Sequence, residues 1–270
     1  MTDEQIKHAK HIAHQRLVAA LCIAVLSVVY LAGYAQWNKM VASPQHTIAS
    51  AQMAALAPPP DPGRLAYAPD VGPAQVNGNE APVIFKLPTK QPVVFLTIDD
   101  GVVRDPEAAA KMREANVPAS LFLTQQYVNH SPGYFSNMAQ QTGSAIENHT
   151  VAHKDLTLYG YEDQKSQICP ASDAYTDVYG KRPRLFRPPY GMYNKETTKA
   201  TAACGMKAVV LWSALVEDGV MRYQIGDHLR AGDIVLMHFT PSFKQDLKAF
   251  VEASKAANLH PQLLEDWLTP

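Results

Sequence analysis

Charge of one sign is what this chain has least of. Its 24 lysines and arginines stand against 25 aspartates and glutamates, for a net charge of −1 over 270 residues. No basic excess covers the protein, so the footprint of a nucleic-acid-binding surface is missing and no nucleic-acid partner is expected. Internal repeats are absent too. Cysteines are scarce: Cys22 lies in an apolar run, and Cys169 and Cys204 fall in the C-terminal part. In an oxidising compartment the last two can pair. Two free buried thiols are the alternative, which spacing cannot decide.

A local absence is more informative. Between Leu17 and Asn38 there is no charged side chain, and the run begins LVAALCIAVLSVVYLAGY. That is apolar and long enough for a membrane-spanning helix. Lys7, Lys10 and Arg16 precede it and only Lys39 follows closely, which predicts an N-terminus inside and the remainder outside. Tyr30, Tyr34 and Trp37 would sit at the outer interface. The expected organisation is a cytoplasmic N-terminus at 1–16, a single-pass anchor at 17–38, a Pro-rich linker at 39–81 containing APPPDPG, and a catalytic domain at 82–270. A cleaved signal peptide, with Gly33 and Ala35 before the cut, is the competing reading.

What is present after the linker is a core: 47% of the residues are hydrophobic. From about Pro82, short β-branched and aromatic runs alternate with helical patterns. PVVFLTI, PASLFLT, SAIEN, RLFR, KAVVLW and DIVLMHF read as strands. Helices are expected from Pro106, through 131–143, 161–179 and 194–204, and near 246–257. Strands alternating with helices imply parallel β and an α/β fold, a small and incomplete (β/α) barrel. A doubly wound open sheet is the alternative.

Polar residues collect where these strands end: Asp99 and Asp100 after VVFLTI, His149 and His153 after SAIEN, Arg187 to Tyr190 after RLF, and His238 after IVLM. In a β/α barrel those ends share one face, where active sites sit. On a helical turn, His149 and His153 would share a face, as a metal site requires. One Asp with two His leaves coordination positions open for water and substrate, and a neighbouring Asp can take a proton.

Together these residues resemble the polysaccharide deacetylase family with the NodB homology domain, carbohydrate esterase family 4. Thr97-Ile98-Asp99-Asp100-Gly101 is similar to its first motif, and His149-Thr150-Val151-Ala152-His153 to its second. Arg187-Pro188-Pro189-Tyr190 looks like its third, and Leu236-Met237-His238 its fifth. The resemblance implies that Asp100, His149 and His153 bind a divalent metal, Zn2+ with Co2+, Ni2+ or Mn2+ as alternatives. It implies Asp99 as general base, Arg187 as its ion-pair partner, the Tyr190 backbone N–H as oxyanion donor and His238 as general acid, with Trp212 walling the acetyl methyl. The implied substrate is an N-acetylated polysaccharide at the cell wall, peptidoglycan foremost. Chitooligosaccharides, acetylated xylan and an inactive glycan-binding protein are the alternatives. The fourth motif departs from the pattern: Ser213 stands where an aspartate is expected, with Glu217 and Asp218 as substitutes.

Overall fold

The computed structural model describes residues 67–269, and the charge-free run at 17–38 lies outside them. Among the described residues, no helix is long and apolar enough to cross a membrane.

The domain is a curled, open half-barrel. Its strands are β1 (Val83–Ile84), β2 (Val93–Asp100), β3 (Ala119–Leu123), β4 (Ala145–Asn148), β5 (Leu185–Phe186), β6 (Ala208–Val210), β7 (Ala214–Glu217), β8 (Val220–Tyr223), β9 (Ile234–His238) and β10 (His260–Gln262). They run in the order β1-β6-β5-β4-β3-β2-β9-β7-β8, with β10 beside β2. All pairings are parallel except the β7–β8 hairpin. The helices are α1 (Ala108–Glu114), α2 (Gln125–Val128), α3 (Pro132–Thr142), α4 (Tyr161–Tyr179), α5 (Lys195–Ala203), α6 (Phe243–Ala256) and α7 (Glu265–Leu268).

Local signals explain the boundaries. Helix α5 starts at a capping box, in which Asn194 Oδ1 accepts from Thr197 N–H and Thr197 Oγ1 from Asn194 N–H. Gly143 and Gly180 end α3 and α4 in the left-handed conformation. Helix α1 starts at Ala108 rather than Pro106, because Asp105 Oδ1 accepts from Glu107 N–H in a preceding turn.

Strand β2 alternates between two layers. Val94, Leu96 and Ile98 pack outward with Met112, Phe135, Phe243 and Phe250 of the helices. Val93 and Phe95 face inward with Phe122, Val210 and Trp267. Trp267 of α7 sits edge-on to Phe95, with ring centroids 5.6 Å apart. The C-terminal segment thus plugs one mouth of the half-barrel and leaves the other to polar residues. The Pro-rich stretch, where described, lies on the domain: Tyr67 meets His260, and Ala74 N–H donates to Leu268 O. Cys169 of α4 is disulfide-bonded to Cys204 after α5, with Cα atoms 4.9 Å apart.

Candidate active site

Four strand ends converge at the unplugged mouth. Asp99 of β2 lies beside His238 of β9 and Phe122 of β3 in register. Strand β4 delivers His149, and β5 delivers Arg187, whose N–H donates to Asn148 O. Asp100 and Gly101 both have left-handed backbone, with φ of 78° and 85°. That turn lets two successive carboxylates reach one cluster, which regular strand alternation forbids. A Cβ at position 101 would stand 2.7 Å from Val128, so only glycine fits.

Arg187 is wholly buried and makes four hydrogen bonds. Nη1 donates to Asp99 Oδ1 at 2.7 Å and to Thr97 Oγ1 at 2.8 Å. Nε and Nη2 donate to the carbonyls of Val210 and Leu211. Its Cζ lies 4.4 Å from the Phe122 ring centroid and 5.6 Å from that of Trp212. Burial pulls the guanidinium pKa down, and Asp99 opposes this. The ion pair fixes one Asp99 oxygen and leaves Oδ2 pointing at the cluster, 3.8 Å from His149 Nε2.

The two histidines do not lie on a helical turn, contrary to expectation. They belong to an irregular loop in which Thr150 and His153 have φ of 74° and 52°. The loop is held from outside. Gln125 and Gln126 N–H, at the start of α2, donate to Thr150 O and Val151 O. Asn148 Nδ2 donates to Ile168 O, and Val151 N–H to Gln167 O, shortly before Pro170 inside α4. His149 is buried, and its Nδ1–H donates to Arg187 O at 2.7 Å. A carbonyl only accepts, so the Nε2 lone pair faces inward. Burial holds the pKa of this ring below the usual histidine value, against the pull of Asp99 and Asp100. Neutral Nε2 with an anchored Nδ1 is the arrangement of a metal-binding imidazole.

Asp100 Oδ1 lies 3.2 Å from His153 Nε2 and 3.6 Å from His149 Nε2. Oδ1 is buried yet receives no well-formed hydrogen bond. Burial pushes the Asp100 carboxyl up, but His153, His149 and His238 outweigh it and keep it below the ordinary carboxylate range. The three ligand atoms lie within 4.8 Å of one another. An orphaned carboxylate oxygen and two imidazoles around one point fit a divalent cation.

Tyr190 stands at the rim with φ of 61°, its ring 4.7 Å from His153. Trp212 closes the other side of this loop. A Cβ on Gly191 would come 2.8 Å from its ring.

Ser213, which stands where an aspartate is expected, lies beside Asp233 rather than beside His238. Its N–H donates to Ile234 O and its Oγ to Asp233 Oδ1 at 2.9 Å. Ile234 begins β9 and His238 ends it, so Ser213 sits about 13 Å of strand away from His238. From the sequence alone, Thr97 is read only as part of the first motif, without a role, and Asn148 only within a strand. Thr97, polar within an apolar run and two residues before Asp99, carried a readable signal.

A family model described as polysaccharide deacetylase matches residues 86–209. A chitooligosaccharide deacetylase of Sinorhizobium fredii is 31% identical over 56% of this chain and 73% of its own length. The chain belongs to the polysaccharide deacetylase family. An uncharacterized protein of Streptomyces coelicolor is 40% identical over 57% of the chain and 62% of its own length. A peptidoglycan-N-acetylglucosamine deacetylase of Bacillus cereus is 27% identical over 58% of the chain and 59% of its own length. The chain thus spans about three fifths of each of these two. The fold is shared with the peptidoglycan N-acetylglucosamine deacetylase Bc1960 (TM-score 0.61, 22% identity, 69% of this chain, 92% of that one). It is also shared with BA3943, a pseudoenzyme of the same esterase family from Bacillus anthracis (TM-score 0.57, 19% identity, 73% and 69%). The domain therefore has the fold of this family and carries the family model's match within it.

Proposed function

We propose that this protein is a metal-dependent deacetylase that hydrolyses N-acetyl groups of a glycan, foremost peptidoglycan N-acetylglucosamine or N-acetylmuramic acid. The observation that carries the reading is Asp100, His149 and His153 around one point, beside an Asp99 that Arg187 holds by one oxygen only. A bound divalent ion, Zn2+ before Co2+, Ni2+ or Mn2+, would polarise the acetyl carbonyl and acidify a water.

The chain's own residues do the rest. Asp99 Oδ2 takes the proton of the attacking water, and Arg187 keeps that carboxylate aimed. The Tyr190 N–H donates to the carbonyl oxygen as charge develops on it. Trp212 lines the acetyl methyl. His238 gives a proton to the sugar nitrogen as the C–N bond breaks, releasing acetate and an amine. Chitooligosaccharides are the second substrate class, since the Sinorhizobium fredii relative is named for them. Acetylated xylan is the third.

The location proposed is outside the cytoplasm, tethered by residues 17–38. The charge-free run behind a basic flank supports this, as does the Cys169–Cys204 disulfide. The test strips the full-length protein of metal and measures acetate release from peptidoglycan fragments and chitooligosaccharides, with and without zinc. Zinc-dependent release that Asp99→Asn abolishes is the expected result. Zinc binding with no acetate from any glycan, acetylated xylan included, would leave an inactive glycan-binding protein.

A further inference from the structure

The ring of His238 makes no hydrogen bond among the described residues, so its neighbours decide where it points. One neighbour is the tip of the β7–β8 hairpin. Leu215 pairs with Leu236; two residues further along come Glu217 on β7 and His238 on β9. Carried on at that register, the Asp218–Gly219 turn falls one to two residues beyond His238. Both take left-handed backbone, with φ of 51° and 74°. Helix α6 begins five residues after His238, and its first turn carries Asp246, 2% exposed. Asp246 Oδ1 accepts from Gly219 N–H at 2.7 Å. In the opposite direction, Ser242 Oγ–H donates to Asp218 Oδ1 at 2.8 Å. No lysine or arginine pairs with Asp246 among the described residues. Burial raises its carboxyl pKa. The Gly219 N–H and nearby His238 work against that rise, while Asp218 and Glu217 add to it. One buried side chain thus links the segment after His238 to the turn beside it.

We propose that Asp246 is a positioning residue for His238: by accepting from Gly219 N–H it pins the Asp218–Gly219 turn against α6 and so fixes one wall of the proton donor's place. The inference rests on the reading of His238 as general acid.

The test compares Asp246→Ala with Asp246→Asn in the full-length, zinc-loaded protein. Asparagine keeps an acceptor oxygen and alanine does not. Asp246→Ala should lower kcat about tenfold or more with KM within about twofold, and Asp246→Asn should recover to within about threefold of the parent. Amide hydrogen exchange at Gly219 should quicken in the alanine variant and return in the asparagine one. Equal kcat in alanine variant and parent, or an asparagine variant as slow as the alanine one, would overturn the proposal. Should Asp246→Ala not fold, Asp246→Leu fills the same buried space without an acceptor, and a kcat equal to the parent's there would overturn it as well. If the parent releases no acetate, the function reading fails separately. The Gly219 exchange and the His238 imidazole NMR shift then decide: movement in the alanine variant alone supports the positioning, and no movement sinks it.

Discussion

Arg187 is the residue on which the site's geometry depends most. It is fully buried, bonded to Asp99, Thr97 and two carbonyls, and stacked near Phe122 and Trp212. Removing one partner of a buried ion pair leaves the other uncompensated. Arg187→Met should therefore cost about 3–5 kcal/mol of stability, read from urea denaturation. Arg187→Lys keeps the charge but not the fork, so it should fold better than the methionine variant and still lose activity. An Arg187→Met protein as stable as the parent would remove the ion pair from the account. Gly191 offers a second single-residue test. With φ of 69° and Trp212 2.8 Å from any added Cβ, Gly191→Ala should cost about 1 kcal/mol or more and displace the indole, measurable by tryptophan fluorescence. Motif residues such as Asp100 and His149 were legible because each strand ends in a polar residue type with few other uses there. Asp246 was not. It sits in the first turn of a helix, where an acidic residue needs no further explanation.

The elements differ in how fully their sequences announce them. Helix α4 came out over the expected span because Gly160 and Gly180 bracket it. Helix α6 starts at Phe243, three residues before the expected Asp246, because the Thr240–Ser242 turn leads directly into it. The β7–β8 hairpin went unread, since its loop tip Asp218-Gly219 is separated from the apolar run by Glu217 and its second strand is half exposed. Elements α4 and α5 meet through the disulfide, which spans 35 residues. A loop of that length stabilises by about 3–4 kcal/mol in the chain-entropy account. Cys169→Ser should lower the unfolding free energy by that order. Since α4 also supports the His149–His153 loop through Gln167 O and Ile168 O, zinc affinity should fall with it. Thermal melts with and without reductant check the first, and zinc titration the second.

The whole molecule carries a second group of buried ionisable residues, Glu147 and Glu265. Glu265 of α7 accepts from Ser120 Oγ at 2.8 Å, and Glu147 of β4 accepts from the N–H groups of Arg184 and Leu185. Burial pushes both carboxyls up, Glu147 well above its usual value and Glu265 to about 7. The folded state therefore keeps protons that the unfolded chain releases. These two carboxyls contribute stability that is fully present below the ordinary carboxylate range and is lost as pH rises, through about 7 for Glu265 and further up for Glu147. Glu265→Gln should flatten that decline and raise stability at pH 8. A urea midpoint that is flat with pH in the parent would contradict it.

By itself, the sequence determined the alternation of strands and helices, and hence the α/β class. It also determined the four polar strand ends that carry the family's motifs. Those features are local, set by periodicity and residue type, and need no knowledge of which strand lies beside which. The charge-free run at 17–38 is equally local, and the anchor it predicts lies outside the described residues. Only the tertiary structure decided that the sheet stays open, that α7 plugs one mouth, and that Ser213 stands at the far end of β7. It alone placed His149 and His153 on a strained loop rather than a helical turn, and Asp246 against Gly219. Each of these depends on contacts between residues far apart in the chain, whose register no run of neighbouring side chains encodes.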